Sequence, residues 1–223
     1  MTIALSIAAV LLLLDLRIGF DYYFTPQVLF NFAKTDTYWL DFDLFPTFIG
    51  AIIALVCIFK ITNRETRLEG GPARVKSYFL IGLSVLTFAQ ASGRYIAQFN
   101  RSSGSDTLNP GITADILYSI TDIASYVLAV IILGNIIDLL QYEVSLNENT
   151  VKKERMEDAA PFAFYYRTFC AFPVFIRVFM VIMIWDQSEL LSYISAALYH
   201  AICLFSAVMF ILYVRKIEKA RLA

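Results

Sequence analysis

Apolar residues in this chain fall into long runs separated by short polar stretches, rather than into the one-sided stripes of soluble helices. Six such runs occupy about 2–20, 45–62, 76–98, 112–140, 161–185 and 189–214. A helix needs about 20 residues to cross about 30 Å of hydrocarbon. The pattern therefore predicts an all-α, polytopic integral membrane protein: a bundle of six transmembrane helices forming a single domain over 1–223. The first run is the least regular, because its clean stretch ends at Leu14 and Asp15 and Arg17 follow. It lacks the basic n-region and small-residue cleavage pattern of a signal peptide, so it reads as a span with Asp15 and Arg17 at the interface.

Composition agrees. Hydrophobic residues make up 59% and charged residues 17% of the chain, against about 45–50% and 25% in soluble domains; mean hydropathy is +0.65. The net charge of −1 hides a segregation. Lys60, Arg64, Arg67, Arg74 and Lys76 lie between the second and third runs, Lys152, Lys153 and Arg155 between the fourth and fifth, and Arg215, Lys216, Lys219 and Arg221 follow the sixth. The alternate loops carry mainly aspartates, Asp21, Asp36, Asp41, Asp43, Asp106 and Asp186. The positive-inside rule puts both termini in the cytoplasm; a plasma membrane or endomembrane is the favoured location. Cys57, Cys170 and Cys203 sit inside apolar runs without CxxC or Cys/His spacing, so they read as small buried hydrophobes and not as a disulfide framework or metal site.

The loop 21–44 is dense in aromatics, among them Tyr22, Tyr23, Phe30, Tyr38, Trp39 and Phe42. Rings that are half apolar and half wet suit the headgroup level. Val28, Leu29 and Phe32 share a helical face, which predicts a short interfacial helix after Pro26. A lid over an outward-facing cavity is the alternative. Loop 63–75 reads as a turn-forming linker, and 141–160 as a solvated extension of the fourth span with mixed charge.

The informative residues are polar ones inside the runs. In the third run Ser84, Thr87, Ala91, Arg94 and Gln98 recur at steps of three and four, and in the fourth Asp115, Tyr118, Asp122, Ser125 and Ala129 do the same. Each set lies on one helical face. A lone charge in a bilayer costs at least about 2.5–3.5 kcal/mol, so Arg94 is expected to pair with Asp115 or Asp122. The fifth run adds Arg177, with Pro173 four residues before it as a source of a kink. In the sixth, Ser192, Ser195, Tyr199, Cys203 and Ser206 form a seam, with the single histidine, His200, beside it. The bland reading of these groups is helix packing by buried ion pairs and a neutral, hydrogen-bonded histidine. The functional reading is a polar cavity.

No phosphate-binding glycine loop, zinc motif, nucleophile elbow, voltage-sensor ladder or nucleic-acid-binding surface is present in the sequence, and no cofactor is implied. Three functions remain. The first is an outer-leaflet cleft that binds or transports an amphipathic small molecule or lipid, using Arg94, Asp115, Tyr118, Asp122, Arg177, Tyr199 and His200. The second is an accessory or assembly subunit whose seams bury against other membrane subunits. The third is an intramembrane enzyme using an aspartate as general acid on an isoprenoid-like substrate. A paired Asp122 argues against the third; an open polar cleft argues for the first.

Overall fold

The structure, a computed structural model, describes residues 1–14, 16–21, 26–30, 38–43, 46–64, 67–102, 112–146, 154, 156–186 and 189–222; the side chains of 16–43, 90–116, 118–119, 180–193 and 222 lie outside the described residues. Seven helices and one small sheet are described: α1 (Thr2–Leu13), β1 (Leu16–Asp21), β2 (Pro26–Phe30), β3 (Tyr38–Asp43), α2 (Thr47–Thr62), α3 (Gly71–Ser102), α4 (Ile112–Ser145), α5 (Ala160–Phe169), α6 (Phe172–Asp186) and α7 (Glu189–Leu222).

Among the described residues, three stretches are long and apolar enough to cross a membrane: Ile120–Ser145, Ala160–Phe179 and Ile194–Arg221. They mark a membrane protein. Helices α1 and α2 are apolar but shorter. At 12 and 16 residues they extend about 18 and 24 Å at 1.5 Å per residue, less than the hydrocarbon thickness.

The first span is thus corrected. Instead of one helix over 2–20, α1 stops at Leu13, Leu14 is already extended (φ −95°, ψ 127°), and the chain enters β1. The interfacial helix after Pro26 is corrected too: Pro26–Phe30 is β2. The three strands form an antiparallel sheet in the order β2-β1-β3, with Leu16 opposite Phe30 and Arg17 opposite Asp43. The physical reason lies in the residues. Leu16-Arg17-Ile18-Gly19-Phe20-Asp21 alternates with period two, and Tyr, Trp, Phe, Val and Ile favour strands. A short apolar run is ambiguous between helix and strand by periodicity alone.

The remaining elements begin and end where their sequence asks. Pro46 precedes α2 in extended conformation, Pro72 occupies the first turn of α3, and Pro161 that of α5. The fifth run breaks at Cys170 and Ala171, just before Pro173, into α5 and α6. Proline has no N–H to return to the preceding turn.

Helices α4 and α7 form the centre. α4 contacts α1, α2, α3, α6 and α7, while α7 contacts α1, α4, α5 and α6. Small residues line the close crossings: Ala8 and Ala9 of α1, Ala51 and Ala54 of α2, Ala129 of α4 and Ala207 of α7 are all fully buried or nearly so. Gly50 shows how close α1 and α2 lie, since a Cβ there would stand 2.8 Å from the Leu11 Cβ. Buried tyrosines tie neighbours together by donating to backbone carbonyls, Tyr166 to Val130 (3.1 Å) and Tyr213 to Ile137 (3.2 Å). Such bonds matter because lipid offers no alternative partner.

At the end of the bundle where α2 and α7 finish, Glu143 departs from the expected solvated extension. α4 does continue as helix to Ser145, but Glu143 is buried between Arg64 (3.5 Å) and Arg221 (3.7 Å).

Candidate functional site

Helical spacing assembles the site. On α4, Asp122, Ser125 and Tyr126 stand at i, i+3 and i+4 and share a face. α6 contributes Arg177 and α7 contributes Tyr199. Leu12, Leu13 and Leu14 at the end of α1, with Thr47 at the start of α2, complete the wall of a recess.

Arg177 is its centre. The residue is only 3% exposed. Its Nη1 donates to Asp122 Oδ2 at 2.5 Å and to the Asp122 backbone carbonyl at 3.3 Å. The guanidinium also lies over two rings, 4.8 Å from the Tyr199 centroid and 5.3 Å from that of Tyr126. Cation–π attraction reaches about 2 kcal/mol when the partners are desolvated, so the rings offset part of the cost of burying this cation. The two rings are 6.1 Å apart, and His200 meets Tyr199 edge-on at 5.1 Å.

The helix break is joined to the same cluster. The Tyr126 hydroxyl donates to the Cys170 carbonyl at 3.3 Å and lies 3.7 Å from the Cys203 thiol. The break at Cys170 and Ala171 therefore exposes a carbonyl that Tyr126 reaches, while the turn after it aims Arg177 at Asp122. Beside the pair is a cavity of about 20 Å³ lined by Asp122, Ser125, Tyr126, Arg177, Tyr199 and Thr47. That volume suits a water molecule or one small polar group.

Four of the expected site residues, Asp122, Arg177, Tyr199 and His200, come together. The backbone of Arg94 belongs to α3 and those of Asp115 and Tyr118 to α4, but their side chains lie outside the described residues, and so does the expected Arg94 pairing. Asp122 is paired with Arg177. On α7, Ser195, Tyr199, Cys203 and Ser206 are all buried, as their spacing suggests. In the third run, Ser84 and Thr87 return their hydroxyls to the Leu80 and Leu83 carbonyls of their own helix.

The residue missed by sequence reasoning is Tyr126. It stands one position off the seam drawn through Ser125 and Ala129, and its signal was its i+4 spacing from Asp122. Thr47 carried no signal. No protein-family model, curated protein or solved structure matches this chain.

Proposed function

We propose that all six apolar segments lie in the membrane with both termini cytoplasmic, and that the recess around Arg177 and Asp122 faces the outer leaflet and binds the polar group of an amphipathic small molecule or lipid. The observation that carries this reading is a buried guanidinium beside a polar-lined cavity. A pair that served packing alone does not need a polar-lined space beside it. As a unit the pair is neutral, and Ser125 and Thr47 line the cavity beside it. A hydroxyl or amide group suits such a wall better than a bare anion. The cavity accepts one small polar group of the molecule, and the rest stays in lipid along the apolar exterior of α6, where Phe175 and Val178 are exposed. The salt-bridged Asp122 is a hydrogen-bond acceptor, not the unpaired acid that the enzymatic reading needs.

Native mass spectrometry of the detergent-purified protein tests this. The wild type is expected to retain an amphipathic molecule through delipidation. The variant Arg177→Met with Asp122→Leu, which removes both charges and keeps the volume apolar, is expected to remain folded and to lose it. Equal retention by the two proteins would refute the reading.

A further inference from the structure

The opposite end of the bundle carries a second feature. Glu143 draws together Arg64 from the end of α2 and Arg221 from the end of α7, and Arg64 also reaches the Met1 sulfur at 3.3 Å. Two basic segments far apart in sequence thus meet at one end. Around this join Lys60 and Arg67 on one side and Arg215, Lys216 and Lys219 on the other are exposed. Carboxylates share this end (Glu69, Asp138, Glu154, Glu157, Asp158 and Glu218), but among the described residues they are fewer than the cations once Arg64, Arg74, Lys76 and Arg221 are included. Glu143 is consumed in holding the two arginines.

Helix length sets the level of these charges. α7 has 34 residues, about 51 Å at 1.5 Å per residue, well beyond the roughly 30 Å hydrocarbon core. Its last two turns, which carry Arg215, Lys216 and Lys219, therefore stand at headgroup level. Arg215 and Lys219 are four apart and share a face. We infer that this composite patch, joined by Arg64, Glu143 and Arg221, binds the phosphate-bearing headgroups of anionic lipids in the leaflet it faces. Basic clusters directly outside a spanning helix attract anionic lipid, by about fivefold in affinity per cation near the surface. The convergence adds to that general tendency by presenting two clusters to one headgroup region.

The test is native mass spectrometry of the purified protein with equal amounts of added phosphatidylserine and phosphatidylcholine. The wild type is expected to retain phosphatidylserine about fivefold or more over phosphatidylcholine, with the preference falling as salt rises. Two variants, Arg215→Gln with Lys216→Gln and Lys219→Gln, and separately Lys60→Gln with Arg67→Gln, alter exposed side chains only. Each is expected to elute as the wild type does on size exclusion and to lose several-fold of the preference. Equal retention of the two lipids by the wild type overturns the inference without any variant. An unchanged preference in either variant overturns the composite patch. Displacement of phosphatidylserine by millimolar inorganic phosphate would assign the patch to a soluble phosphate and overturn the lipid assignment.

Discussion

Truncating Arg177 and truncating Asp122 should have unequal costs. Removing one partner of a buried pair costs about 3–5 kcal/mol in soluble proteins, and a stranded charge in a bilayer costs at least about 2.5–3.5 kcal/mol. The two strandings differ here. In Arg177→Met the carboxylate left behind is 17% exposed and borders a cavity that admits water. It can be hydrated or take up a proton, so the loss is expected to be about 1–2 kcal/mol, near the range of polar interactions between membrane helices. In Asp122→Leu the guanidinium left behind is 3% exposed and cannot shed its proton. It keeps the Asp122 backbone carbonyl and the two tyrosine rings, and the expected loss is about 3 kcal/mol. At roughly 2–4 °C per kcal/mol for a chain of this size, the melting temperature falls by about 2–8 °C in the first variant and about 6–12 °C in the second. The double variant is expected within about 1 kcal/mol of wild type, because no charge is stranded. A thiol-reactive fluorogenic maleimide reads the transition directly, since Cys57, Cys170 and Cys203 are buried until the bundle opens. The reasoning is refuted if Arg177→Met costs as much as Asp122→Leu, or if the double variant is as unstable as the worse single one.

Other expectations follow from the packing. Gly50→Ala should lower the melting temperature, by about 1–3 kcal/mol of overpacking, because its Cβ meets Leu11 and Leu12 at 2.8 and 3.0 Å; Gly82→Ala, with nothing within 4 Å, should not, and the same thermal assay compares them. Tyr126→Phe should cost about 0.5–1.5 kcal/mol by removing the hydrogen bond to the Cys170 carbonyl; no change in melting temperature would show that this bond does not brace the helix break. For topology, Glu69→Cys at an exposed site between α2 and α3 should resist an impermeant thiol reagent in intact cells and react after permeabilisation; labelling in intact cells would reverse the proposed orientation.

Much of the helical layout was legible in the sequence, because apolar runs bounded by charge and proline leave few choices in lipid. The break before Pro173 and the buried seam Ser195, Tyr199, Cys203 and Ser206 were legible for the same reason: each depends on the spacing within one segment. What was not legible depends on two segments at once. The region after Leu13 has apolar residues dense enough for a helix, yet the period-two alternation from Leu16 finds antiparallel partners in 26–30 and 38–43, and pairing is invisible to a window on one run. The expected pairing of Arg94 with Asp115 or Asp122 lies outside the described residues, and the partner described for Asp122, Arg177, comes from α6 through the break in the fifth run. Glu143 looked solvated because its own stretch is polar; its burial arises from the ends of α2 and α7 arriving beside it.

The binding role of the recess is tested most directly by exchanging its charges. Arg177→Asp combined with Asp122→Arg preserves a buried ion pair between α6 and α4 but moves the cation to the other wall, away from the geometry over Tyr126 and Tyr199. Folded yield by size exclusion and ligand retention by native mass spectrometry should be measured on the same preparation. Folding is expected to return toward wild type relative to either single exchange, while the retained amphipathic molecule is lost. Recovery of both together would contradict the account and leave Arg177 and Asp122 as a packing pair.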